Sequence, residues 1–196
     1  MSIRIAIFAS GSGSNAENII TYFAENQQFE FPLIVSNKEN AYVHERARKL
    51  GVRSITLEFA AYLDWEVLHD ILLFERIDYV ILAGFLLKVP QIILQLFPRK
   101  IINIHPALLP KFGGKGMYGD RVHRAVRAAN EKESGITIHY VTENYDEGDI
   151  IFQAKCTVLP TDTPEEIAQK VHALEYKWFP EIIEKTFIHP KEETED

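Results

Sequence analysis

Two polar side chains, Asn103 and His105, break an otherwise apolar run of Ile101, Ile102 and Ile104. Residues two apart on a strand project to the same side, so an amide and an imidazole face one ligand together. A neutral His moves protons near pH 7, and its imidazolium stabilises negative charge. An Asn amide N–H can donate to a developing oxyanion. The pair is half of an acyl-transfer site. An enzyme nucleophile to complete it is missing: there is no Gly-x-Ser-x-Gly elbow, and Cys156 belongs to a different strand. The arrangement therefore suits attack by an amine carried on the substrate, with no covalent enzyme intermediate. A capping Asn beside a hydrogen-bonded core His is the bland alternative.

A carboxylate beside His105 would raise its pKa and fix its ring. The turn Glu143–Asp149 offers Asp146, Glu147 and Asp149. The residue types do not choose among them, although Glu147 suits an exposed hairpin tip.

A second chemical signal lies at Gly11, Ser12, Gly13, Ser14, Asn15 and Ala16, between a strand-like run and a helix-like run. Glycines let the backbone turn sharply and approach a ligand. A helix N-terminus then offers free N–H groups and partial positive charge to a phosphate. The loop also fits the loose pattern G-x-G-x-x-A of dinucleotide sites. Those sites want an acidic residue at the end of the second strand, and Ser36 and Asn37 stand there instead. A monophosphate cradle fits better. The plain alternative is a tight turn with Ser14 as a cap.

These residues need a scaffold, and strand and helix signals alternate to supply one. Strands are expected at 3–10, 31–36, 52–57, 79–83 and 100–105, with helices at 16–23, 42–50, 62–74 and 90–97. Ser14 and Glu17 have capping-box spacing, and Gly51 reads as a C-terminal stop. This order implies an α/β fold with a doubly wound, mostly parallel sheet. Residues 106–122 read as a loop with four Gly and two Pro, followed by a helix over 122–130. Residues 135–141 and 150–158 read as a hairpin, a C-terminal antiparallel extension of the sheet. A long final helix begins at Thr163, with Pro164 at its first position and Glu166 completing a capping box. Its expected buried stripe is Ile167, Val171, Leu174 and Trp178, with Glu175 at the edge. Residues 1–188 are expected to form a single domain whose residues 1–100 are the phosphate-binding half, and 189–196 a flexible tail.

Composition narrows the class further. The chain has 196 residues, 46% of them hydrophobic and 25% charged, as in a soluble globular domain. No apolar run nears the roughly 18 to 20 residues that span a bilayer. The net charge of −7 argues against nucleic-acid binding, which needs cationic charge on phosphate. The only cysteine, Cys156, suits a reducing cytoplasmic compartment and reads as a buried small hydrophobe. One thiol cannot build a cysteine metal cluster, and no metal is expected.

Over residues 3 to about 187 the chain resembles the phosphoribosylglycinamide formyltransferases of purine synthesis. The residues that carry the resemblance are Gly11–Asn15, Ser36-Asn37-Lys38 and Leu82-Ala83-Gly84-Phe85. They continue with Asn103-Ile104-His105-Pro106-Ala107-Leu108-Leu109-Pro110 and Tyr145-Asp146-Glu147-Gly148. The resemblance implies a Rossmann-like formyltransferase fold and 10-formyltetrahydrofolate as co-substrate. It implies small-molecule partners only, with no nucleic acid and no membrane. It makes Asn103, His105 and Asp146 catalytic and gives the substrate phosphate to Gly13, Ser14 and Asn15. It puts Glu175 on the substrate's amine side. It assigns the folate to Leu86, Leu87, Lys88, Val89 and Asn103, so residues 101–188 become the folate and catalytic half. Many relatives carry an Arg near the position of Ala61, and this chain has none there. The loop after Pro110 is longer than in some relatives. Lys88, Lys115 and Arg121 are then candidates for the folate's glutamate tail.

The same residues admit other readings. Another folate-dependent formyltransferase, such as one acting on methionyl-tRNA, or a formyltetrahydrofolate hydrolase would share the trio. The first normally adds an RNA-binding domain and the second an N-terminal regulatory domain. A nucleotide-binding oxidoreductase would use the loose glycine pattern but lacks its ribose-binding acid. A non-catalytic phosphate-binding module would leave the trio unexplained.

Overall fold

A computed structural model describes residues 2–58 and 62–188; Ala61 and the tail 189–196, with the expectations placed on them, lie outside the described residues. The elements follow in the order β1 (Ile3–Phe8), α1 (Ser14–Tyr22), β2 (Phe29–Ser36), α2 (Val43–Leu50), β3 (Arg53–Thr56), α3 (Tyr62–Phe74) and β4 (Tyr79–Leu82). Then come α4 (Gln91–Leu96), β5 (Ile101–His105), α5 (Asp120–Ala128), β6 (Glu133–Tyr140), β7 (Ile150–Thr157) and α6 (Pro164–Ile188).

The strands form one seven-stranded sheet in the order β3-β2-β1-β4-β5-β6-β7. β1 to β5 are parallel, and β6 and β7 are antiparallel additions. The sheet is wound outward in both directions from the β1–β4 pair, which opens a crevice at the carboxyl ends of these strands.

Alternation along each strand divides the core between two faces. Ile5, Ile7, Ile81, Ile102 and Ile104 pack with α1, α2, α5 and α6. Ala6, Phe8, Val80, Leu82 and Ile101 pack with α3 and α4 through Trp65, Leu68, Leu72 and Ile93. Parallel strands covered on both faces must be apolar on both, which explains their continuous hydrophobic runs. Among the described residues, no helix is long and apolar enough to cross a membrane.

Three local expectations are corrected. Ser14 does not cap α1: Gly13 is the N-cap in a left-handed conformation, φ 72°, and no side chain caps the helix. Glu17 pairs instead with Arg46, whose Nε also donates to the Ser12 carbonyl at 2.9 Å. The buried stripe of α6 runs through Ile167, Val171, Glu175 and Phe179, while Leu174 and Trp178 are half-buried. The i, i+4 spacing thus brings Glu175 inside. Cys156 faces the core with Phe152 and Ala154 but is only half-buried, because β7 is the edge strand of the sheet. The α6 capping box forms as expected. The Thr163 N–H donates to Glu166 Oε2 at 2.7 Å, and the Glu166 N–H to Thr163 Oγ1 at 3.2 Å.

Candidate active site

A cleft of about 670 Å³ opens at the carboxyl ends of β1, β4 and β5. It brings together the residues to which the family resemblance assigns a role: Gly13, Ser14 and Asn15, then Leu86–Val89, then Asn103, His105, Asp146 and Glu175.

The first wall is the turn from β1 into α1. Gly13 is needed there twice over. Its φ of 72° is one that L side chains rarely adopt, and an added Cβ would stand 2.3 Å from Val43 Cγ2. With no side-chain cap, the first N–H groups of α1 keep their bonding capacity for an anion. Across the crevice the β4 loop is tied to this one. The Ser10 N–H donates to the Gly84 carbonyl at 3.0 Å, and the Leu86 N–H donates to Ser10 Oγ at 2.9 Å. The segment Leu86–Val89 follows, with Val89 buried and Lys88 exposed.

The second wall is built from β5 and β6. Their antiparallel register sets Asn103 opposite His139 and His105 opposite Thr137. Directly opposed residues share a face, so four polar side chains cluster there, of which Asn103, His105 and His139 line the cleft. Asn103 Nδ2 lies 3.0 Å from His139 Nε2. Thr137 Oγ1 donates to the Ala107 carbonyl at 2.7 Å and accepts from the Leu109 N–H at 3.0 Å, pinning the chain that leaves β5.

Asp146 reaches this cluster because Gly148 lets its turn fold tightly onto β6. A Cβ at Gly148 would lie 1.7 Å from the Tyr140 carbonyl oxygen. Asp146 itself has φ 58°, a costly conformation of the kind found at functional sites. Its Oδ2 is 3.5 Å from His105 Nδ1, and its Oδ1 is 3.6 Å from His139 Nε2. Neither Glu147 nor Asp149 competes: Glu147 accepts from Asn144 Nδ2, and Asp149 pairs with Arg99 at the surface.

The glycine-rich segment after Pro110 clamps both partners. His105 Nε2 donates to the Phe112 carbonyl at 2.8 Å, and the Gly114 N–H donates to Asp146 Oδ2 at 2.8 Å. Between them Gly113 leaves no room for a side chain, since its Cβ would be 2.5 Å from Leu109 Cδ2 and 3.2 Å from Asp146 Cβ.

Burial sets the charge of this pair. It pushes the His105 imidazole below its usual pKa, an effect that Asp146 opposes without cancelling. His105 is therefore neutral near pH 7: Asp146 raises its pKa as expected, but burial outweighs that effect. Burial pushes the Asp146 carboxyl up, but the His139 and His105 rings in their protonated forms and the Gly114 N–H together bring it below the usual range.

Glu175 is 4% exposed, yet it is a cleft residue rather than a helix-surface acid. Its Oε2 accepts from Asn15 Nδ2 at 3.0 Å and from His172 Nδ1 at 2.8 Å. That hydrogen bond raises the His172 pKa. His123, on α5, is buried and lines the same cleft as His172, Glu175, Asp120 and His105. Its Nδ1 has no hydrogen-bond partner among the described residues, and burial lowers its pKa.

Residue patterns missed His139, His172 and His123, and also the backbone of Phe112 and Gly114. Two of the histidines left a signal. Thr137 and His139 alternate with Ile136 and Ile138 as Asn103 and His105 do with Ile102 and Ile104. His172 stands one helical turn before Glu175.

Residues 3–183 match the family model described as Formyl transferase. The chain is 40% identical over 186 residues to the chloroplastic phosphoribosylglycinamide formyltransferase of Arabidopsis thaliana, covering 92% of this chain and 64% of that one. It thus spans less than two thirds of that relative's length. It is 39% identical over 188 residues to the phosphoribosylglycinamide formyltransferase of Bacillus subtilis (strain 168), covering 93% of each. The crystal structure of phosphoribosylglycinamide formyltransferase from Bacillus halodurans superposes with a TM-score of 0.85 at 35% identity, covering 96% of both chains.

Proposed function

We infer, for a chain that belongs to the formyl transferase family, that it moves the formyl group of 10-formyltetrahydrofolate onto the primary amine of 5'-phosphoribosylglycinamide, in purine (IMP) biosynthesis. The observation that carries this reading is one cleft that joins an uncapped helix N-terminus to a buried Asn–His–Asp cluster. An acceptor that is both a phosphate ester and an amine can span the two.

In this reading the ribose phosphate lies on the N–H groups of Gly13, Ser14 and Asn15. Glu175 faces the amine side. Both of its hydrogen bonds fall on Oε2, so Oε1 can meet the substrate. The folate lies along Leu86, Leu87, Lys88 and Val89 toward Asn103. The tetrahydrofolate is a co-substrate, and no metal enters the reaction scheme. We place the reaction in the cytosol, where reducing conditions suit a single unpaired cysteine.

The amine attacks the formyl carbon. A C–N bond forms while the carbonyl π pair moves onto oxygen. The second N–H of Asn103 Nδ2 donates to that oxyanion. His105 holds a hydrogen on Nε2 against the Phe112 carbonyl. Nδ1, beside Asp146 Oδ2, is then the bare nitrogen of the ring and takes the proton of the attacking amine. The resulting imidazolium is stabilised by Asp146 and lies next to the oxyanion. As the oxyanion collapses, the bond from carbon to folate N10 breaks and His105 returns the proton to that nitrogen. A neutral His105 is the form this sequence requires at its start, and burial supplies it.

The test is an assay of the purified chain with 10-formyltetrahydrofolate and three acceptors: glycinamide ribonucleotide, charged initiator tRNA and water. Transfer to the ribonucleotide alone is expected. Formylation of the tRNA, or folate deformylation without an amine, would replace this reading with one of the related activities.

A further inference from the structure

His139 contacts both Asn103 and Asp146, and the chemistry of its other nitrogen determines what it does to Asn103. Nδ1 lies 2.9 Å from the Tyr140 carbonyl oxygen. A carbonyl oxygen only accepts, so Nδ1 carries the ring hydrogen. In the neutral ring Nε2 is then bare and accepts the hydrogen bond from Asn103 Nδ2, 3.0 Å away. The Asp146 Oδ1 contact at 3.6 Å is too long to compete as a hydrogen bond.

An Asn amide has two orientations related by a flip, and they present opposite chemistry. With nitrogen toward His139, the second N–H of Nδ2 remains for the cleft. With oxygen toward His139, that same place would hold carbonyl lone pairs and repel an oxyanion. His139 is 3% exposed, so water does not readily substitute for its ring.

We propose that His139 is a positioning residue whose bare Nε2 holds the Asn103 amide in the orientation that offers a donor to the reacting oxygen. The proposal rests on the role given above to Asn103, and the experiment separates the two.

Gln extends its terminal oxygen toward the position of Nε2, whereas Asn reaches only toward that of Nδ1. His139→Leu and His139→Asn are expected to lower kcat about 10- to 100-fold, with both KM values within about twofold, because a loosened oxyanion donor acts mainly in the transition state. His139→Gln, which can still accept from Asn103, is expected to recover kcat to within about threefold. The side-chain amide NMR signals of Asn103 should move in the Leu variant and stay near their native positions in the Gln variant. In an Asn103→Ala background, His139→Leu should cost nothing further. A Gln variant as poor as the Leu variant, or full additivity with Asn103→Ala, overturns the proposal alone. A fully active Asn103→Ala enzyme overturns both this proposal and the role of Asn103.

Discussion

Asn15 and Glu175 stand 160 residues apart, and the Asn15 amide donates to Glu175 Oε2 at 3.0 Å. This bond joins the first turn of α1 to the middle of α6, so the glycine loop and the final helix form one continuous wall. The same carboxylate oxygen accepts from His172.

Glu175→Gln keeps the shape but cannot accept both bonds in the same way. Its KM for the phosphorylated amine should rise roughly tenfold, a loss of about 1.4 kcal/mol, while the folate KM stays within about twofold. The His172 pKa, raised chiefly by its hydrogen bond to Glu175, should fall in an NMR titration of this variant. An unchanged amine KM would leave Glu175 with a structural role only.

Gly13→Ala should disrupt the phosphate cradle, since the new Cβ meets Val43 and the backbone is held at φ 72°. A stability loss of about 1 kcal/mol or more is expected from the left-handed conformation alone. Gly11→Ala, whose Cβ would meet nothing within 4 Å, should keep the native melting temperature. Inorganic phosphate should shift the amide signals of Gly13, Ser14 and Asn15 in the native protein. Shifts elsewhere with none at these residues would remove the cradle.

His105 should titrate below its ordinary value of about 6.5, because burial disfavours the imidazolium. Asp146→Asn should lower it further, since the opposing anion is gone. As the base of the scheme, His105 should make kcat/KM fall as pH drops through its depressed pKa. Stability should follow the same sign. Between the unfolded and folded pKa values the unfolded chain binds more protons, so His105 lowers stability as pH falls below about 6.5. His105→Ala and Asp146→Asn should each reduce turnover strongly, and the double variant should be little worse than the poorer single one. A native-like His105 pKa in Asp146→Asn would exclude the pairing.

Gly113→Ala tests the clamp formed by Phe112 and Gly114. Its Cβ would push on Leu109 and on Asp146, so the carboxylate should lose register with His105. Turnover should drop at least about tenfold, given how steeply proton transfer and positioning depend on geometry. Substitution of Gly114, whose φ is 91° but whose Cβ meets nothing, should act through backbone strain instead. Equal kinetics for Gly113→Ala and the native enzyme would show that the loop does not hold the pair.

Thr163→Ala is the control away from the cleft. It removes one half of the α6 capping box and should cost about 1 kcal/mol in denaturant unfolding with kcat unchanged.

Much of this was legible in the chain itself. The alternation of apolar runs with periods near 2 and 3.6 is a local property, and it determined the α/β order and the doubly wound sheet. Gly51, Pro164, Thr163 and Glu166 act within one helical turn, so their roles followed from spacing. Asn103 and His105 share a strand, and alternation alone put them on one side. Ser14 misled because two geometries compete for that turn, and Gly13 took the cap position once α2 packed against it through Val43. The choice of Asp146 over Glu147 and Asp149 came from family resemblance. Physically it depends on Gly148 folding the turn against β6, a contact between backbone atoms that no side-chain pattern records. His139 became a partner of Asn103 only through the β5–β6 register, and a slip of one residue would have turned it to the opposite face. Glu175 entered the cleft, and Cys156 stayed at the core's edge, because docking of α6 and the outermost strand set their surroundings. The neutrality of His105 is of the same kind: its sequence neighbours give the imidazole, but the tertiary enclosure by β6, the glycine-rich loop and Asp146 sets the free energy of its charge.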